Sequence, residues 1–438
     1  MGQEDRTDEV DIRSRPFYKV LVLSGAVGAL GALLTLAFVL VLINGIQFIW
    51  TTLPQLLGLQ DGTSSALFII TVTLTGGLLV GLITYYSRVR PALLMEEFEE
   101  FTENGRIIPR NGAVGLVRGL VGLLFGGSIG PEGPLTGGSG ALGTWLAERL
   151  GMKRPVCAVT TLSGISGMFG SFLGSPFGFA LIAIEGGLEE GRLSWKLILP
   201  SIVAASVGYG VFFGLTGYVF GGDYQFPSFE DWNLLDLGYA VLLGLMGGAV
   251  GLLFIFFFRG MRRWASRWSS HPVALAVLAG LILGAVGAVF PVILFSGDAQ
   301  IQDLIDNAAA LGFLTLVVLA LLKVFVTVVC LSLGWSGGYI FPAFFIGTAM
   351  GLAVHQALPF IPEIVCIVCL ISGVSVALLK SPIALSLIIL TLFDVRLAPI
   401  IAISILAAFL LTYRTDLVPA TQEESGEERG AEKEITPQ

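Results

Sequence analysis

Charged side chains are scarce. Asp, Glu, Lys and Arg make up 13% of the 438 residues, where a soluble domain carries about a quarter. With hydrophobic residues at 55%, this excludes an ordinary water-soluble domain and points to a polytopic membrane protein. Histidine occurs only as His271 and His355. The four cysteines, Cys157, Cys330, Cys366 and Cys369, all fall in apolar stretches. Cys366-x-x-Cys369 has the spacing of a redox or metal pair, but with no histidine beside it the pair reads as buried small hydrophobes. No metal, cofactor or nucleic-acid partner is expected. A cleavable leader is not expected either: the start is acidic, and the first apolar run, from about 17 to 50, is too long for the core of a signal peptide.

Glycine is plentiful, with 57 residues, which suits close helix contacts and broken helices in a bilayer. The polar ends, 1–16 and 414–438, read as disordered cytoplasmic tails. Between them lie apolar segments at about 18–50, 66–86, 112–125, 157–184, 195–220, 237–258, 272–295, 311–333, 340–358, 364–379 and 383–411. Several are shorter than the roughly 20 residues of a simple span or are interrupted by Gly and Pro. The expected class is therefore all-α, with broken or re-entrant helices. Backbone freed at such breaks is tolerated at membrane depth only where protein buries it or a cavity receives it, so the breaks point to an internal site.

Loop charge orients the chain. One connection carries Arg88, Arg90, Arg106 and Arg110, and another Arg259, Arg262, Arg263 and Arg267. The stretch 221–236 holds Asp223, Glu230, Asp231 and Asp236 with no Lys or Arg. By the positive-inside rule the basic connections and both termini are cytoplasmic and 221–236 is an extracellular linker. Glu96, Glu97, Glu99 and Glu100 dilute the first basic connection, but acids carry little weight in this rule.

The punctuation repeats. Gly133-Pro134 precedes one long apolar stretch and Phe341-Pro342 another, with Pro342 lying 208 residues after Pro134. Ser175-Pro176 recurs as Ser381-Pro382, an offset of 206. Two Pro-marked breaks at nearly one offset imply two homologous membrane repeats, 17–220 and 237–413, of the kind that enclose a midplane site between discontinuous helices.

A helix that begins inside the membrane presents unpaired N–H groups and its positive dipole end, a site for an anion. Gly130 to Gly133 and Gly334 to Pro342 are the two candidate starts. Brought together, they would cage a dehydrated anion without Lys or Arg. Glu132 sits between these glycines and prolines, where the anion would bind. Ionised, it can fill the amide cage itself; protonated, it is neutral and can swing away. That is a proton-linked gate, and intramembrane acids are functional candidates by default.

Gly130-Pro131-Glu132-Gly133-Pro134 resembles the Gly-x-Glu-Gly-Pro signature of the CLC family of chloride channels and proton-coupled anion antiporters. Gly338-Tyr339-Ile340-Phe341-Pro342 resembles its Gly-x-Phe-x-Pro signature, and the Pro176 and Pro382 helices fall where that family has them. The resemblance implies two inverted repeats, a homodimer with one pore per subunit, and a plasma-membrane protein that moves small inorganic anions, chloride above all, with protons as possible partners. It implies a gating role for Glu132 and an anion site at Gly130, Gly133, Gly338, Tyr339, Ile340 and Phe341.

There are departures. The family's inner Gly-Ser-Gly-Ile-Pro motif has no counterpart in 86–97; Ser87 lacks the glycines. Pro131 stands where a basic residue is usual, and Ile340 replaces Phe. The internal proton-transfer glutamate of many antiporters falls on Gly186, leaving Glu185 beside it as a candidate, with Glu189 and Glu190 further on. The family's central tyrosine has no assured match, Tyr413 arriving early. The whole resembles a divergent prokaryotic branch without the regulatory domains of larger relatives. Passive channel and fluoride-selective exporter stay open as alternatives.

A more distant reading is an intramembrane protease, because Gly137-Gly138-Ser139-Gly140 matches a Gly-x-Ser-Gly nucleophile motif that needs a histidine base. Packing glycines around a helix-facing serine is the simpler account, and no enzyme activity is expected. Lys323, alone in an apolar run, reads as a snorkelling or helix-end lysine ahead of the alternative that it helps hold an anion. Asp394 and Arg396 read as flanking a helix end.

Overall fold

The computed structural model describes residues 15–59, 65–176, 178, 181, 185, 195–217, 224–229 and 233–418. In chain order its helices are α1 (Arg15–Gln47), α2 (Ala66–Ser87), α3 (Leu94–Asn104), α4 (Pro109–Leu124), α5 (Glu132–Arg149), α6 (Arg154–Leu173) and α7 (Trp195–Thr216). There follow α8 (Leu234–Ser266), α9 (Pro272–Val289), α10 (Asp298–Ser332), α11 (Ile340–Ala357), α12 (Glu363–Leu379), α13 (Pro382–Ile389) and α14 (Ala398–Thr412). α1 continues through a π-turn at Phe48–Thr52 to Leu56. Among the described residues nine helices are long and apolar enough to cross a membrane. The protein is an all-α, multi-pass membrane protein, as its composition implies.

Segment boundaries follow local chemistry. The apolar run expected over 383–411 is split into α13, a short 3-10 turn at Val395–Leu397 and α14. There Asp394 accepts the Arg396 N–H at 2.9 Å and pairs with its guanidinium at 3.0 Å, closing one element and opening the next. α10 extends well upstream of the expected 311–333 and is kinked at Gly312, whose φ of 73° suits glycine. α3 was hidden inside a charged loop; it is amphipathic, with Leu94, Glu97, Phe98 and Phe101 buried. Of the tail expected over 414–438, the described residues 414–418 pack in part: Leu417 is only 4% exposed and the Arg259 guanidinium reaches the Asp416 carbonyl.

The helices pack through small residues. In bilayers association rests on close van der Waals contact rather than on a hydrophobic force. α2 and α9 show this reciprocally: a Cβ at Gly77 would meet the Ala276 carbonyl at 2.4 Å, and one at Gly280 the Thr73 carbonyl at 2.4 Å.

Directions establish the inverted repeat. The two basic connections lie at one end of the molecule, where Arg262 of α8 pairs with Glu96 of α3. α5 runs toward that end, its Glu148 meeting Arg106 at 3.2 Å. α11 runs the other way, its Gln356 side chain donating to the Ala308 carbonyl near the start of α10. Yet both begin together in the interior. Gly130 and Gly338 form an antiparallel bridge.

The glycine contacts predict an asymmetric outcome. Gly77→Ala should destabilise the detergent-solubilised protein by about 1–3 kcal/mol, because the opposing atoms are backbone and cannot yield. Gly238→Ala, inside α8 with open space around it, should leave the melting temperature unchanged or raise it slightly, since alanine favours the helix where nothing opposes it. Equal melting of the two variants would contradict the packing described.

Candidate functional site

The site is built where two broken helices start. Gly and Pro end regular structure before α5 and before α11, and the two frayed starts bond to each other: the Gly130 N–H donates to the Gly338 carbonyl at 2.8 Å and the Gly338 N–H to the Gly130 carbonyl at 2.7 Å. Two expected anion ligands, Gly130 and Gly338, thus spend their amides on one another. Their contribution is space instead. A Cβ at Gly130 would lie 2.0 Å from Glu132 Oε2, and one at Gly338 2.1 Å from Oε1. Gly133, on the first turn of α5, is pressed against the Gly337 backbone at 2.7 Å from where its Cβ would be.

Glu132 is fully buried. Its Oε1 accepts the Ile340 N–H at 2.6 Å, and the Phe341 amide faces the same carboxylate. These are the first amides of α11, the unpaired, positively polarised end of an 18-residue helix. Its Oε2 has no hydrogen-bond partner. The carboxylate lies at a helix start, with no Lys or Arg bonded to it among the described residues. Tyr339 is buried directly before α11, and its hydroxyl also lacks a hydrogen-bond partner.

Below the site lies a polar device that sequence reasoning passed over. Arg118, 1% exposed in the apolar α4, donates from Nε to Ser336 Oγ at 2.5 Å and from its Nη atoms to the carbonyls of Val89 at 2.9 Å and Arg90 at 3.0 Å. It ties the loop before α11 to the connection between α2 and α3. The only signal for it is a lone arginine in a glycine-rich apolar run. Beside that connection opens a cavity of about 590 Å³ lined by Arg88, Arg90, Glu96 and Arg262 and by the Leu331 to Trp335 turn. Three arginines at its wall favour anions there. Ser87 is not among its lining residues; its hydroxyl accepts the Val89 N–H at 3.2 Å. Glu97 is the second residue missed. Counted from sequence only among the acids that dilute the first basic connection, it is 5% exposed and turned inward.

The other candidates disperse. Glu185 accepts the amides of Ile383 at 2.7 Å and Ala384 at 2.9 Å, sitting at the start of α13. Gly186, Glu189 and Glu190 lie outside the described residues. Lys323 does not snorkel: fully buried, it donates to the carbonyls of Ile293 at 2.9 Å and Phe295 at 2.8 Å and lies 5.0 Å from the Phe345 ring centroid. It pins a turn in which Phe295 adopts φ 62°. Tyr413 is 48% exposed and bonded to Arg414, away from the site. Ser139 is buried without a partner, while His271 contacts Ser270 and His355 the Ile361 carbonyl. The protease motif therefore has no base beside it. All four cysteines are free and buried.

Comparison with known proteins agrees with this geometry. A family model described as "Voltage gated chloride channel" matches residues 76–413. A relative from Escherichia coli O139:H28 bearing the name "Putative ion-transport protein YfeO" is 27% identical over 408 residues, covering 91% of this chain and 94% of the relative. Among solved structures, a slow cyanobacterial Cl−/H+ antiporter matches with a TM-score of 0.73 at 17% identity, over 90% of this chain and 95% of that one. A CLC-type fluoride/proton antiporter matches with a TM-score of 0.73 at 19% identity, over 92% and 97%.

The carboxylate and a Cβ at position 338 cannot occupy the same space. Gly338→Ala should therefore destabilise the protein, and removing the side chain with Glu132→Ala should recover part of the loss. A double-mutant cycle on melting is expected to show coupling of about 1–3 kcal/mol; strict additivity would place the carboxylate elsewhere.

Proposed function

The chain belongs to the voltage gated chloride channel, or CLC, family, and from that premise we propose that it carries small inorganic anions of the chloride type along a pathway gated by Glu132. The observation that carries this reading is the Glu132 carboxylate on the Ile340 amide. An ionised side chain holds the place of an anion and blocks it. A protonated one has no net charge to keep it there, so it can leave and admit the anion. Because opening requires a proton, anion movement and proton movement become linked. The Cl−/H+ and fluoride/proton antiporters that share the fold support coupling. A passive anion channel would use the same gate without returning the proton to the other side.

The anion site then comprises the amides of Ile340 and Phe341, with Gly130, Gly133 and Gly338 keeping side chains out of the cage. Tyr339 contributes its backbone and its unpartnered hydroxyl, which replaces the inner serine that the chain lacks. The basic cavity feeds it from the cytoplasmic side, both termini being on that side of a plasma membrane. By likeness to its family the protein acts as a homodimer in a lipid bilayer. Glu185, expected on the inner proton path, has an engagement with Ile383 and Ala384 that supports a capping role.

Reconstitution into liposomes with chloride, fluoride or nitrate gradients, reading anion and proton movement together, tests the proposal. The wild type should move chloride and export protons against it. The fluoride-exporter alternative predicts fluoride flux well above chloride flux. Glu132→Gln should abolish proton movement and remove the pH dependence of anion flux; unchanged flux and pH dependence would sink the gate assignment. Tyr339→Phe should weaken apparent anion affinity about three- to tenfold, the worth of one hydrogen bond of about 1 kcal/mol, with Glu132 gating intact.

A further inference from the structure

Resting on the proton-linked reading of Glu132, we infer that Glu97 is the inner proton-transfer residue of this protein, passing protons between the cytoplasmic-side cavity and Glu132. α3, which carries it, is not one of the spans. It is a short amphipathic helix folded back under α5, and Glu97 points into the protein.

The placement of its carboxyl is specific. A Cβ at Gly137 of α5 would lie 2.8 Å from Glu97 Oε1, and one at Gly115 of α4 3.7 Å from it. Gly137 is one helical turn from Gly133, on the same face of α5, and Gly133 abuts Gly337 and Gly338, where the Glu132 carboxylate lies. Gly133 and Gly137 stand roughly 6 Å apart along α5, four residues at 1.5 Å each, with Glu97 against the second and the Gly337–Gly338 backbone that borders Glu132 against the first. Transfer across that backbone calls for a swing of the Glu132 side chain or an intervening water.

Glu97 does not itself line the cavity, but its neighbours in the chain do. Leu93 and Glu96, on the same turn, are among the cavity's lining residues. Glu97 Oε2 is buried without a hydrogen-bond partner, whereas both oxygens of Glu185 accept amides of α13. Glu96 is held by Arg262 of α8 and by the Leu93 N–H at 2.8 Å, and Glu100 by the Ile108 N–H at 3.0 Å. Burial pushes the Glu97 carboxyl up to about 8, with repulsion from Glu100 adding and the Arg118 guanidinium opposing. A group of that kind changes protonation near neutral pH, as a transfer residue must. In the step itself the Glu97 carboxyl gives its proton to the Glu132 carboxylate and becomes a carboxylate near Arg118. Water in the cavity then returns a proton to it.

The test uses the full chain in liposomes under a chloride gradient, with chloride and proton flux read in parallel. Glu97→Gln keeps the size and neutrality of the protonated side chain. It should lower proton flux at least about tenfold, with chloride flux within about twofold of wild type. Glu97→Asp, which retains a titratable group one methylene shorter, should keep a measurable part of the proton flux; it reads the same role if the Gln variant does not fold. A parallel fall of both fluxes would make Glu97 a packing residue, and an unchanged proton-to-chloride ratio in either variant would also overturn the inference. In both cases the gate at Glu132 would stand. A wild-type protein that moves chloride without protons would remove the coupled reading, and this role with it.

Discussion

The fold turns on two helix starts that meet in the interior with no Lys or Arg bonded to the carboxylate there among the described residues. Two helix starts are held together by a pair of backbone hydrogen bonds between Gly130 and Gly338, and the first amide of α11 donates to the Glu132 carboxylate. The attraction comes from backbone dipoles, which are rigid and carry no counter-charge of their own. A lysine in the cage would bind an anion more strongly and hold it longer. Amides alone would hold an anion weakly enough to let it leave, as the proposed transport requires.

The two buried cations among the described residues, Lys323 and Arg118, are satisfied away from those helix starts. Lys323 is satisfied by two carbonyls and an aromatic face, and Arg118 by Ser336 and two carbonyls. Neither is bonded to the Glu132 carboxylate. Each cation instead braces a non-helical segment beside the site: the turn before α10, and the loop before α11 with the connection after α2. Irregular backbone at this depth needs such bracing, because no solvent is present to satisfy it. Stability and function draw on the same residues, so variants at Arg118 and Lys323 are poor probes of transport alone.

Much of this was legible in the order of residues. Gly130-Pro131-Glu132-Gly133-Pro134 breaks the rules of an apolar run, and its counterpart at Gly338 to Pro342 does so at nearly the same spacing as the Pro176 and Pro382 pair. Local conflicts of that kind concentrate at functional sites. The two homologous halves followed from them, and the family resemblance implied their inversion. What stayed hidden was decided by tertiary burial. Glu97 looks identical to Glu99 and Glu100 in a charge run, and only the docking of α3 on α5 separates them. Lys323 reads as a snorkelling residue because sequence does not reveal that the Ile293 to Phe295 carbonyls reach into the interior. The amides of Gly130 and Gly338 were counted as ligands because periodicity could not reveal that they bond to each other.

The claim that the Glu132 side chain occupies an anion site can be examined by replacing the carboxylate with the ion itself. Crystals of Glu132→Ala grown in bromide should show anomalous density at the Ile340 and Phe341 amides, where the wild-type carboxylate lies, and wild-type crystals at high pH should show none at that point. Absence of bromide there in the variant, with ordered α5 and α11, would contradict the account.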